Sequence, residues 1–307
     1  MLLDQRIQSF LVLCETMNYT RASERLFVTQ PTVSSQIKSL EEECGYKLFY
    51  YEGKKLYLTE VGELLSKLAI TMKNDALLFK KQLQTLDKKA FHINFAVTMT
   101  IGGFVIPRAF ARYSKENPQI KMSMILRNTK DIIRQLSTGD VNFALVEGII
   151  KKDDFDYMVF DSVPFVLVCN TNHKFKKKVE CMDDILDETL IVREEGSGTR
   201  AILSNHLLKH NYTLKNFPNI IEISGMHAIV EMLKEDLGIS FMYKCAACEG
   251  IKSGLLKEVP LKDFKVFHDF TYIWEKNSAY ADLYRTICTT LRDYAKSSSS
   301  CSQRNEL

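Results

Sequence analysis

The chain has 307 residues, 46% hydrophobic and 26% charged, with 41 Lys and Arg against 38 Asp and Glu. That balance fits a globular protein of two or three domains with a sizeable core, and excludes a disordered or strongly polybasic chain. A net charge of +3 is too small to pull the whole molecule onto nucleic acid or an acidic membrane, so any such binding must be local.

No apolar run approaches the ~18 residues of a membrane span. At the amino end Asp4 and Arg6 precede Ile7, Phe10, Leu11 and Cys14 at helical spacing, which reads as an amphipathic helix rather than a signal peptide. A cytoplasmic location with no membrane partner is expected, with the eight cysteines reduced and packed as small hydrophobes. Cys245 and Cys248 share a helix face, but no second pair or ligand-spaced histidines accompany them, so neither metal nor cofactor is expected.

Residues 20–55 form an ordered series. Thr20 is expected to cap a short helix carrying Ala22 and Leu26, and Phe27 and Val28 make a turn. Thr29 can accept a bond from a free amide of a second helix starting at Gln30, with Pro31 in its first turn, where no donor is missed. Val33, Ile37, Leu40 and Cys44 recur along this helix as a stripe for the core of the module. The other side presents Gln30, Pro31, Ser34, Ser35 and Lys38, small or hydrogen-bonding groups able to reach base edges. Strands at 48–50 and 56–58 meet through Gly53, Lys54 and Lys55, a hairpin with cations at its tip.

A winged helix-turn-helix presents one helix to a DNA major groove in this order. Its contacts are expected from Thr20, Arg21, Thr29, Gln30, Pro31, Thr32, Ser34, Ser35, Lys38, Lys54 and Lys55. Residues 1–57 hold seven basic and seven acidic side chains, so phosphate affinity must rest on Arg21, Lys38, Lys54 and Lys55, with the glutamates at 41–43 turned away. The rival reading is a helical hairpin that docks protein.

The segment TRASERLFVTQPTVSSQIKSLEEECGYKLFYYEGKKLYLTEVG resembles the DNA-binding part of LysR-type transcriptional regulators. Gln-Pro, Ser-x-Gln-Ile, Leu-Glu, Leu-Phe and Leu-Thr-x-x-Gly fall in register, and Ser35 departs from a frequent arginine. The resemblance implies double-stranded promoter DNA as a partner, RNA polymerase as a possible further one, and assembly as a homodimer, often a homotetramer.

Thr59 can cap a long helix running to about Lys89, in which Val61, Leu65, Leu68, Met72, Ala76, Phe79, Leu83 and Leu86 repeat at three and four residues. At ~1.5 Å per residue it would span about 43 Å, too long for a small wing domain to cover. Its stripe therefore calls for the same helix of a second subunit, through Val61, Leu65, Leu68, Met72, Phe79 and Leu83. Packing on the chain's own second domain is the alternative.

Beyond residue 90, short apolar runs at 92–97, 121–127, 143–147, 165–170, 190–193, 220–223, 239–242 and 266–274 alternate with helical segments. The pattern predicts an α/β fold of parallel sheets covered on both faces. The resemblance implies a two-lobed, periplasmic-binding-protein-like (type 2) effector domain, with the chain crossing between lobes near 161–164 and 259–267. The expected division is 1–58 for DNA binding, 59–89 for the linker helix and 90–296 for the effector domain. Lobe I takes about 90–161 and 266–296, lobe II about 162–265, and the polar tail 297–307 is expected to be disordered.

In doubly wound lobes, ligands sit beyond the carboxyl ends of strands. Those ends here carry Thr98, Met99 and Thr100, then Asn128 and Thr129, then Gly196, Ser197, Gly198, Thr199 and Arg200, then Met226 and His227, with Glu147 closing the run at 143–147. The Gly-Ser-Gly-Thr-Arg loop is the strongest of these, because glycines, hydroxyls, amides and a cation together suit a carboxylate or oxyanion. Its alternative is a plain helix cap with Arg200 paired to Glu194 or Glu195. LIVREEGSGTR and NTKDIIRQLSTGDVNFALVEG resemble effector domains of the regulator subgroup linked to sulfur assimilation and carbon fixation. Met226 and His227 depart from that subgroup's small polar and acidic residues, so its ligand does not carry over, and His227 reads as structural. No catalytic set emerges, since Ser197 lacks the nucleophile elbow and a placed histidine. An enzyme is therefore not expected, and the remaining alternative is a two-lobed binding protein or enzyme without a DNA role.

Overall fold

The computed structural model describes residues 3–83, 91–148 and 150–298. The amino-terminal module consists of α1 (Gln5–Thr16), α2 (Tyr19–Leu26), α3 (Gln30–Cys44) and a hairpin of β1 (Phe49–Glu52) and β2 (Lys55–Leu58). Phe10, Leu13, Ala22, Val33, Ile37 and Leu48 meet in its core. Two local expectations are corrected. The N-cap of α2 is Asn18, whose side-chain Oδ1 accepts from the Arg21 amide at 3.0 Å, so Thr20 lies inside the first turn. Cys44 is exposed, because the last turn of α3 overhangs the core that Val33, Ile37 and Leu40 fill.

α4 (Glu60–Leu83) starts where Thr59 Oγ1 accepts from the Gly62 amide at 3.0 Å. The described helix is about 36 Å long; Leu86 and the expected end at Lys89 lie outside the described residues. Its apolar stripe divides. Val61 and Leu65 turn inward onto the amino-terminal core, contrary to the single outward seam expected, and Leu78 enters the core of the second domain. Leu64, Leu68, Met72, Phe79 and Leu83 remain exposed. A straight helix passing two bodies must give each of them a face, and only the remaining face is free.

Polar groups fasten α4 to the carboxyl-terminal domain. Asn74 Nδ2 donates to the Leu136 carbonyl at 2.7 Å, and Asp75 accepts from Ser278 Oγ at 2.6 Å and from the Ala279 amide at 2.7 Å. Packing on the chain's own second domain, the alternative for the stripe, therefore holds for one face.

The carboxyl-terminal domain contains β3 (Phe91–Val97), α5 (Met99–Phe104), α6 (Pro107–Glu116), β4 (Ile120–Leu126), α7 (Thr129–Thr138) and β5 (Phe143–Val146). Next come β6 (Phe155–Asn170), β7 (Thr189–Arg193), α8 (Gly198–Lys209), β8 (Asn219–Ile223), α9 (Met226–Lys234), β9 (Ile239–Tyr243), α10 (Lys244–Lys252), β10 (Leu256–Val259), β11 (Val266–Glu275) and α11 (Ala281–Ser298). Ser297 and Ser298 thus finish a helix, and the rest of the tail lies outside the described residues.

The sheet is mixed rather than parallel. Its nine strands run in the order β4-β3-β5-β11-β6-β9-β7-β8, with β10 also on β6. The expected crossing at 161–164 lies within the continuous strand β6, while that at 259–267 runs from the end of β10 through a turn at 260–265 into the start of β11. β6 and β11 pair antiparallel from Phe155↔Glu275 to Phe165↔Val266 and pass through both lobes. Alternation sets the layers: on β5, Phe143 and Leu145 face one core, Ala144 and Val146 the other. α7 covers the second face of lobe I through Ile132 and Leu136, while α9 and α10 cover lobe II through Ile229, Leu233 and Ala247.

Candidate functional site

On α3, Gln30, Pro31, Ser34, Ser35 and Lys38 are exposed and Thr32 is half-buried, on the side away from Val33 and Ile37. Thr29 Oγ1 accepts from the Thr32 amide at 3.3 Å and lies 2.8 Å from the Thr32 hydroxyl, so these two groups hold the helix start. Thr20, Arg21, Lys54 and Lys55 are exposed, and the three cations make no ion pair with the described residues. Glu41 is held by Lys47 and the Leu48 amide, and Glu43 by Arg6 at 2.7 Å. Glu42 differs from the expectation for this run, lying 3.7 Å from the Lys38 ammonium on the exposed face.

The two lobes meet at the carboxyl ends of β5 and β7. Gly198 makes the approach possible: a Cβ there would stand 2.4 Å from the Glu147 carbonyl oxygen, and one on Gly148 (φ +96°) would stand 2.6 Å from the Gly198 Cα. Across this seam Thr199 Oγ1 donates to Glu147 Oε1 at 2.7 Å, and from lobe I Thr100 Oγ1 donates to the same oxygen at 3.1 Å. Thr129 Oγ1 donates to the Glu147 carbonyl at 2.9 Å. Asn128 caps α7, accepting from the Asp131 amide at 2.9 Å.

Glu147 is buried, and burial raises its pKa against the hydrogen bond from Thr199 and the charge of Arg193. Its second oxygen, Oε2, has no partner. Ser197 and Thr98 stand at the N-caps of α8 and α5, yet neither hydroxyl caps its helix, and both are buried without a partner. The Tyr243 hydroxyl and Arg193 Nη1 are also buried and unpartnered. Burial holds the Tyr243 phenol well above its ordinary range, with the Glu147 charge adding to the effect. Native interiors rarely leave such groups unmade.

Outside the Gly148–Gly198 contact lies an open groove of about 630 Å³, lined by Thr129, Lys130, Ile133, Gly196, Arg200 and Leu214 among others. Arg200 donates to Glu222 and, at 3.1 Å, to the Arg193 carbonyl, so its partner is neither of the glutamates beside it in sequence. Arg193 instead grips Glu194, with bonds of 2.8 and 3.0 Å.

The remaining expected residues divide. Met99 is half-buried, and Met226 packs among Val168, Ile229 and Met242 in the core of lobe II. His227 is exposed and stacks on Phe104 with centroids 5.9 Å apart, a second contact between lobes. Sequence reasoning missed Arg193, Tyr243 and Lys130. The first two end β7 and β9, so extending the strand-end rule to every strand would have found them.

Known proteins match along nearly the whole chain. Residues 5–63 match the bacterial regulatory helix-turn-helix protein, lysR family, and residues 88–296 the LysR substrate binding domain. The HTH-type transcriptional activator CmpR of Synechocystis sp. is 28% identical over 298 residues, covering 94% of this chain and 93% of its own. A protein of Trieres chinensis described as a probable RuBisCO transcriptional regulator is 27% identical, covering 85% and 87%. The regulatory domain of CcmR from Synechocystis PCC6803, solved in complex with 2-PG, superposes with a TM-score of 0.59 at 21% identity, covering 67% of this chain and 97% of that one. With both family models in sequence order on a winged module and a two-lobed domain, the chain belongs to the LysR family of DNA-binding transcriptional regulators.

Proposed function

We propose that residues 1–58 read an operator through the exposed face of α3, that the free stripe of α4 within 59–89 joins two subunits, and that residues 90–296 bind a small oxyanion or carboxylate between the lobes. The observation that carries the effector reading is the seam itself, where Thr98, Glu147, Ser197 and Tyr243 bury polar atoms without partners. A ligand that satisfies them favours the closed arrangement, and that differential contact is what shifts a conformational equilibrium. The 2-PG bound by the CcmR domain, a relative in fold, supports an anionic class. RNA polymerase is the further partner of a regulator that activates, and the cytoplasm is where such a protein meets its promoter.

Binding to operator and random duplexes at several salt concentrations tests the DNA assignment. Ser34→Ala and Gln30→Ala are expected to weaken operator binding by about 1–3 kcal/mol and spare random DNA. Lys54→Ala is expected to weaken both and to lower the salt slope by about one unit. Equal losses for all three variants would remove α3 from the groove.

A further inference from the structure

Glu147 is an unexpected group to find at the centre of a site for anions. It is 1% exposed, one oxygen takes hydrogen bonds from Thr100 and Thr199, and the other makes no hydrogen bond, with the Thr98 hydroxyl close to the carboxyl. The neighbouring unpartnered groups are the Thr98, Ser197 and Tyr243 hydroxyls and Arg193 Nη1. The hydroxyls can give or take a hydrogen bond, the guanidinium only gives, and an ionised Glu147 only takes. A ligand completing this set must therefore present acceptors to Arg193 and the hydroxyls and one proton to Glu147.

We propose that Glu147 is the specificity determinant of the effector site: it admits a small oxyanion only together with one proton, so the effector is an oxyacid that keeps its last proton near neutral pH. This rests on the effector reading above. Two ionised groups at hydrogen-bond distance in a desolvated site repel, whereas one proton between them turns repulsion into a charge-assisted hydrogen bond. Once Glu147 is ionised only the ligand can bring that proton, whereas a protonated Glu147 at lower pH also admits an oxyanion that has none. The other charged and titratable groups around the carboxyl do not replace it. Glu194 occupies two nitrogens of Arg193. Burial raises the Tyr243 phenol and pushes the Cys245 thiol up to about 12, which keeps both neutral. Asp269 and Asp161 act on that phenol and thiol respectively.

The test is titration calorimetry on the full chain with inorganic phosphate and hydrogencarbonate, against sulfate and glycine, from pH about 6 to about 9. Sulfate has the charge and oxygens but no proton to offer, and glycine offers an ammonium in place of the proton. Near pH ~9 phosphate or hydrogencarbonate is expected to bind at least about 100-fold tighter than sulfate and to lose little affinity with rising pH, because each brings its own last proton. Any sulfate binding instead needs a proton on Glu147 and falls up to about tenfold per pH unit as that carboxyl ionises. Glu147→Gln is expected to admit sulfate to within about tenfold of phosphate, since an amide can donate as well as accept. If that variant fails to fold, the wild-type pH series decides alone. Equal binding of sulfate and phosphate, lost in Thr199→Val, would keep the effector site and overturn the proton rule. Tighter binding of glycine would overturn it in favour of an ammonium, and no binding of any probe would remove both the rule and the anion site.

Discussion

Substituting Gly198 by alanine tests the closed seam directly. The new Cβ would lie 2.4 Å from the Glu147 carbonyl oxygen and 2.9 Å from both its carbonyl carbon and Thr129 Oγ1, where ordinary contact begins at 3.4 Å. The nearest atoms are backbone, so no rotamer change relieves the clash and the lobes must part by about 1 Å. That stretches the 2.7 Å bond from Thr199 beyond hydrogen-bonding range and leaves a buried carboxylate oxygen short of a donor. The combined cost is about 1–3 kcal/mol, partly offset by up to about 1 kcal/mol of helix preference for alanine. For a domain of this size each kcal/mol lowers Tm by about 2–4 °C. Thermal unfolding and hydrogen exchange of the 196–200 amides measure the two consequences. Gly103→Ala in α5 is the control, because no atom lies within 4 Å of its Cβ, and it is expected to be neutral or slightly stabilising. If Gly198→Ala melts with the wild type and its seam amides exchange unchanged, the lobes do not touch in solution and the reasoning fails.

Leu68→Asp combined with Met72→Asp places two carboxylates on the free face of α4, where the wild-type residues are 54% and 43% exposed in the single chain. If that face is a dry seam between subunits, sedimentation is expected to find monomers with folded effector lobes; a double variant still dimeric at micromolar concentration would place the seam elsewhere. Burial, and secondarily the Asp154 charge, pushes the Glu275 carboxyl up to about 7. A raised carboxyl means the folded chain binds the proton more tightly, so its contribution is full below the ordinary value and lost as pH rises through about 7, by at most about 3 kcal/mol. Glu275→Gln is therefore expected to stabilise the chain by about 1–3 kcal/mol near pH 8 and to change little near pH 4; a gain at the low end instead would refute the assignment.

Much of the winged module is legible in the sequence because its determinants are local: Thr29 and Pro31 start α3, and the spacing of Val33, Ile37 and Leu40 chooses its buried face. The strand positions beyond residue 90 are legible for the same reason, since period-two apolar runs need no partner to be recognised. Strand direction is not local. β6 and β11 pair across about a hundred residues, and only their antiparallel passage through both lobes makes one mixed sheet from what reads as two parallel ones. Which of the apolar residues on α4 stay free was likewise decided by the two bodies flanking the helix, which bury Ala69 and Leu78 and leave Leu68 and Phe79 exposed. The hydroxyl and glycine loops of the candidate site stood out by composition, but the role of Glu147 did not. A glutamate after an apolar strand is ordinary in sequence, and only the close approach of Gly198 and Gly148, which excludes water and brings Thr199 onto it, makes it a buried carboxyl with one oxygen unpaired.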